Sequence, residues 1–175
     1  MFFALQPTPE QNAALAAQVA PLIGHLGAQG SPAQNLHATL CFVGEVEDGK
    51  VDALRAAAAT LRGRPVRLSF DALEYWAGPK IVCATPSRDS SSATELSIAL
   101  GEAAVAAGFS PDFKPFRAHV TLAKKISAVQ AATVPWPLPL EESLVMRADR
   151  FALMESRRNE SGSVYSAVDS WPLYD

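Results

Sequence analysis

Apolar residues recur along this chain with two periods, near 3.6 in some stretches and two in others, and the alternation marks out its elements. Residues 2–5 are a short apolar run closed by Pro7 and Pro9, which predicts a buried strand. Thr8 can cap a following helix, with Pro9 in its first position and Glu10 in its first turn. Leu15, Val19, Leu22, Ile23 and Leu26 then recur at helical spacing until Gly27 and Gly30 end the element. A strand is expected over residues 36–43, stopped by Gly44. A second helix is expected over about 49–61, with Val51, Leu54, Ala58 and Leu61 on one face.

Val66, Leu68, Phe70, Ala72 and Leu73 suggest another strand, and a turn at Gly78-Pro79 leads into a strand over 81–84. A polar loop over 87–92 precedes a helix from about 93 to 107, which stops at Gly108. Residues 119–123 read as a strand, and the Pro-rich stretch 135–139 as a connection or an edge. The last third alternates strands near 138–145, 150–155 and 164–171, with a hairpin turn at Asn159-Glu160-Ser161-Gly162. The order β-α-β-α-β-β-α-β followed by strands implies an α+β fold, antiparallel-rich, with helices packed outside the sheet. No linker or low-complexity stretch interrupts it, so residues 1–175 are expected to form one domain.

Composition narrows the field. About half of the 175 residues are apolar (49%), enough for a sizeable core, and the formal charge of -3 argues against a protein that coats nucleic acid non-specifically. A small local basic pocket remains compatible with it. Cys41 and Cys83 sit in apolar, strand-like stretches and read as small buried hydrophobes; no CxxC or Cys/His cluster suggests a zinc site or a disulfide framework. Nothing resembles a signal peptide or the ~20 apolar residues of a membrane span, so a cytoplasmic monomer without membrane partners is expected.

The informative feature is a repeat. His37-Ala38-Thr39-Leu40 lies in the first half and His119-Val120-Thr121-Leu122 in the second, both in strand-like surroundings. Side chains at i and i+2 of a strand share a face, so His37 pairs with Thr39 and His119 with Thr121. Of only three histidines, two occur in this same context; chance would supply both neighbours for a given His less than about one time in a hundred. The third, His25, lies in a helix as Gly24-His25-Leu26 and reads as a partly exposed helix residue. Imidazole titrates near neutrality, so one ring can accept a proton while another donates one. Threonine hydroxyls beside them can donate hydrogen bonds to the non-bridging oxygens of a phosphate. No metal and no cofactor is called for.

The segment from Asn35 to Val46 (NLHATLCFVGEV) resembles the first motif of the 2H phosphoesterase superfamily, in its branch of RNA 2′,3′-cyclic phosphodiesterases, also called 2′-5′ RNA ligases. The segment from Phe116 to Lys125 (FRAHVTLAKK) resembles the second. The opening Phe2-Phe3-Ala4-Leu5 and the closing stretches 151–156, 165–168 and 171–173 are similar to the ends of that family, so the resemblance spans nearly the whole chain. It implies a bilobed, pseudo-two-fold fold with the two motifs facing each other across a cleft. It also implies hydrolysis of an RNA 2′,3′-cyclic phosphate to a 2′-phosphomonoester, with His37 protonating the leaving 3′ oxygen and His119 activating water; spacing alone assigns neither role. Two departures stand out: Ala118 where the family often has Pro, and Lys124 where it often has Arg. Lysine is a point charge without the bidentate fork of arginine.

Period two puts Lys124 on the face opposite His119, which makes Lys125 an equal candidate for the phosphate. Lys114, Arg117, Lys124 and Lys125 cluster around the second motif, and Arg117, two residues before His119, is the preferred phosphate contact. Phe42, Trp76 and Tyr165 are candidates to stack on a base, against a plainer role in the core. Arg157 and Arg158, beside the turn, read as surface residues. The expected partners are RNA ends carrying a 2′,3′-cyclic phosphate, tRNA fragments among them, or nucleotides, with reverse 2′-5′ ligation as a companion reaction. The competing readings are a phosphodiesterase for small cyclic nucleotides or 2′,5′-oligonucleotides, and a non-catalytic nucleotide-binding module. A metal hydrolase is the weakest, since two histidines without a carboxylate motif do not fill a typical site.

Overall fold

A computed structural model describes residues 1–88, 90–112, 114–159 and 162–174, with the side chains of 159 and 162 outside the description. The elements are β1 (Phe2–Leu5), α1 (Pro9–His25), β2 (Ala38–Phe42), α2 (Val51–Ala59), β3 (Val66–Trp76), β4 (Ile81–Thr85), α3 (Ser91–Ala106), β5 (Val120–Lys124), α4 (Ala128–Ala131), β6 (Leu138–Ala148), β7 (Arg150–Asn159) and β8 (Gly162–Pro172). The α+β expectation holds, element by element in the expected order. α1 starts with a full capping box: Gln11 N donates to Thr8 Oγ1 and Thr8 N to Gln11 Oε1. Three features go beyond the sequence pattern. Helix α3 begins at Ser91, inside the stretch expected as a loop, one turn of helix forms as α4, and β6 runs on to Ala148. β6 contains Pro139 and accordingly lies at an edge, where a missing N–H costs no ladder bond. The expected turn at 159–162 falls largely outside the described residues.

The eight strands form a sheet of order β6-β3-β4-β5-β2-β1-β7-β8, every neighbouring pair antiparallel. Its two halves repeat one plan: β1 and β2 flank α1 as β4 and β5 flank α3. The main core lies on the helix side, where Phe3, Leu5, Leu54, Phe70, Leu100, Leu122 and Phe151 are fully buried. The opposite face carries only a small apolar cluster of Phe2, Ala4, Ala152 and Met154, with Tyr165 against it.

Strands β2 and β5 pair across the middle of the sheet through Ala38 and Val120, and the backbone bonds from Ser31 N to Leu122 O and from Asp112 N to Phe42 O also join the halves. The Ala38 and Val120 side chains are fully buried in the core. This junction leaves no room for a larger group. Ala38→Leu is expected to lower stability by about 1–3 kcal/mol through overpacking, seen as a lower urea midpoint at unchanged slope.

Candidate active site

Directly paired residues of an antiparallel sheet point to the same side. Since Ala38 and Val120 both point into the core, their neighbours His37, Thr39, His119 and Thr121 all emerge on the open face. The register extended by one residue puts His37 across from Thr121 and Thr39 across from His119. The two polar pairs therefore interlock about the junction, and the charge of a protonated His119 is felt at His37. Neither threonine hydroxyl has a hydrogen-bond partner among the described residues.

Each imidazole is anchored in the same way. His37 Nδ1 lies 2.7 Å from Asn35 O, and His119 Nδ1 lies 2.8 Å from Arg117 O, in both cases the carbonyl two residues upstream. A carbonyl only accepts, so Nδ1 carries the proton and Nε2 is left with a lone pair. The ring faces are held differently. His37 packs between Phe2 and Tyr165, each with ring centroids 4.9 Å from it, whereas His119 rests on Trp76 at 4.7 Å. Burial pushes the His37 pKa down to about 4; the bond to Asn35 opposes this, and the charges of Lys124 and His119 add to it. Burial also lowers the His119 pKa, with the carbonyl of Arg117 opposing and its guanidinium adding. At neutral pH the free site holds two uncharged imidazoles.

The cations depart from the period-two reading. In β1, Phe3 pairs with Cys41 but Ala4 with Thr39; in β4, Val82 pairs with Ala123 but Cys83 with Thr121. Each motif strand thus carries a bulge at its leucine, Leu40 or Leu122, and alternation shifts by one residue beyond it. Lys124, expected on the far face, is turned by this bulge onto the open face. Its Nζ donates to Tyr165 Oη at 2.8 Å and lies 5.2 Å from the centre of that ring. Phe42, the counterpart of Lys124 in the first motif, is turned the same way and is 53% exposed. Lys125 falls past the strand end in a left-handed conformation (φ 62°) and is exposed. Lys114 is drawn off to Asp112 at 2.7 Å.

Arg117 has a partner that the sequence did not announce. Its Nη2 donates to both carboxylate oxygens of Glu74, at 2.8 and 2.6 Å, and its guanidinium lies 4.7 Å above the Trp76 ring. Glu74 also accepts from Trp76 Nε1 (2.7 Å) and Thr85 Oγ1 (3.0 Å). Trp76 was expected to stack on a base or lie in the core, and Glu74 carried no signal beyond standing two residues before it. His25 is exposed at the end of α1, and Arg157 is exposed beside Glu155. A cavity of about 600 Å³ between α3 and residues 111, 112 and 114–116 includes neither imidazole. Among the described residues no three His, Cys, Asp or Glu side chains gather as a metal ion would need, and no helix is long and apolar enough to cross a membrane.

An antiparallel α+β sheet with two His-x-Thr pairs on its open face defines a 2H-type phosphoesterase architecture. A family profile described as the 2′-5′ RNA ligase superfamily matches residues 8–160, and the chain belongs to that superfamily. It is 31% identical over 105 residues to the RNA 2′,3′-cyclic phosphodiesterase of Escherichia coli K12, a match covering 60% of this chain and 58% of that protein. Among solved structures, one described as a phosphoesterase superposes with a TM-score of 0.87 at 25% identity, covering 99% of this chain and 97% of the other. E. coli LigT complexed with 3′-AMP superposes at 0.86 and 25% identity, with the same coverage.

Proposed function

We propose that this protein hydrolyses RNA 2′,3′-cyclic phosphodiester ends to 2′-phosphomonoesters by acid–base catalysis between His37 and His119, with reverse 2′-5′ ligation as a slow companion reaction. The observation that carries the reading is the matched anchoring of two neutral imidazoles about one junction, each with Nδ1 tied to its own backbone and Nε2 free. In the forward reaction His119 Nε2 takes a proton from water, whose oxygen attacks phosphorus opposite the 3′ oxygen. The P–O3′ bond breaks, and His37 Nε2 delivers its proton to the departing oxygen. His37 must begin protonated, yet burial keeps it neutral in the free site. The negative charge of the incoming phosphate favours the imidazolium and restores that proton.

Thr39 and Thr121 donate to the non-bridging oxygens as charge builds on them. Lys124, on the open face through its bulge, supplies the positive charge that Lys125 was equally expected to provide. The Arg117 expectation takes a modified form, since Glu74 already engages that guanidinium. Phe42, with its exposed ring, is the aromatic best suited to stack on a base; Trp76 and Tyr165 are occupied in holding the imidazoles. The 3′-AMP complex of LigT favours, as a second reading, mononucleotide 2′,3′-cyclic phosphates as substrates.

Incubation with an oligonucleotide ending in a 2′,3′-cyclic phosphate tests the proposal. A 2′-phosphomonoester supports it; a 3′-phosphomonoester, or no turnover, overturns it. Because the reaction is written without a metal, full activity is expected after dialysis against EDTA. Activity lost there and regained with a divalent cation would require a different mechanism.

A further inference from the structure

Two cations bear on the imidazoles, Lys124 at His37 and Arg117 at His119, and their surroundings differ in kind. Lys124 is held by a phenol, a neutral partner, so its charge stays available to an anion. Arg117 is held through both oxygens of a carboxylate and lies on Trp76, itself hydrogen-bonded to that carboxylate. Burial pushes the Glu74 carboxyl up, but the bonds from Trp76 and Thr85 and the charge of Arg117 together hold it below its usual value, so it is ionised at neutral pH. The pseudo-two-fold gives no equivalent on the other side. β1 stands to β7 as β4 stands to β3, and the counterparts of Glu74 and Trp76 are Ala152 and Met154.

From this arrangement we infer that Glu74 is a specificity-determining residue: by neutralising Arg117 it leaves Lys124 as the uncompensated side-chain cation beside the imidazoles and favours a phosphodiester monoanion over a phosphomonoester dianion. The inference rests on the reading of the cleft as a phosphate site and adds to it a reason for product release. A cyclic phosphodiester carries one negative charge, whereas its hydrolysis product, with a second pKa near about 6, carries close to two above neutrality. The single proton that the imidazoles share through the reaction is common to both complexes, so beyond it Lys124 matches the first charge and leaves the second under-compensated. Were Arg117 also free, its planar fork would suit the monoester better than the diester, and product would be retained.

The test is a gain of binding, which a merely damaged site does not produce. At pH 8, Glu74→Gln keeps an acceptor oxygen for Trp76 Nε1, turns an NH2 donor toward the Thr85 hydroxyl, which can accept, and removes the charge that holds Arg117. It is expected to bind inorganic phosphate and 2′-AMP about tenfold or more tightly than the wild type by calorimetry, with a smaller change for a monoanionic diester. Glu74→Gln combined with Arg117→Gln removes both charges and is expected to return monoester affinity to the wild-type level. Unchanged or weaker monoester binding by folded Glu74→Gln overturns the inference, as does a gain that survives in the double variant. If Glu74→Gln does not fold, the double variant decides alone: a large loss of monoester affinity there makes Arg117 a direct ligand and overturns the inference, whereas wild-type affinity supports it. These are equilibrium measurements, so failure of the wild type to open a cyclic phosphate would count against the proposed reaction and not against the charge assignment.

Discussion

Replacing either His37 or His119 with alanine is expected to lower turnover of an RNA 2′,3′-cyclic phosphate by about 100-fold or more. Each ring is assigned one proton transfer, and neither has a neighbour able to substitute: Tyr165 is committed to Lys124, and the threonines are weak acids and weaker bases. Because the two rings act as a unit, the double variant is expected to lose little more than the worse single one. The assigned roles are separable with a substrate whose leaving group is already a good one. His37→Ala should recover much of its rate on such an ester, since the departing oxygen no longer needs a proton, whereas His119→Ala should not. Near-normal rates in either folded variant on the natural ester would remove that imidazole from the chemistry, and rescue of the opposite variant would exchange the roles.

The second large effect is on pH dependence. In the proposed reaction the productive form carries one proton shared between the two imidazoles. Both free-site pKa values lie below the usual 6.5, His37 at about 4 and His119 lowered, mainly by burial in each case. Above pH 6.5 the free protein therefore loses its single proton progressively, and kcat/KM is expected to fall about tenfold per pH unit, or about 100-fold between pH 6.5 and 8.5. Bound substrate brings a negative charge between the rings and raises both values. The basic limb of kcat should accordingly lie at higher pH than that of kcat/KM, and initial rates across pH 4.5–9 over a range of substrate concentrations measure both. Coincident limbs would mean that the phosphate does not sit between the imidazoles, and a profile flat through neutrality would mean that they do not exchange protons with it.

Much of this site could be read from residue order because the repeated motif uses the shortest regularity that a strand has. His37 with Thr39, and His119 with Thr121, need only one alternation to share a face, and the Ala38–Val120 pair brings the four together. Lys124 lies five residues beyond His119, and over that span one bulge reverses the inference. Its trace was present in the sequence: Leu40-Cys41 and Leu122-Ala123 are adjacent apolar residues where strict alternation demands a polar one, and all four are buried. The Glu74–Arg117 pair joins positions 43 residues apart, and no local pattern reports a contact of that range. Element ends slipped for a similar reason, since the last residues of β6, β7 and β8 are ordered by pairing with partners and not by their own composition.

The exchange of Lys124 for Phe42 at matching places in the two halves gives the cleft a handedness. A groove with identical ends would receive a ribose-phosphate in two orientations and waste half of its encounters on the reversed one. With an ammonium near His37 and an exposed phenyl ring at the matching place of the other half, a nucleotide docked in the two directions would meet different chemistry at each end. Together with Glu74 and Trp76, which also lack counterparts across the pseudo-two-fold, this unmatched position makes the two ends of the open face chemically distinct.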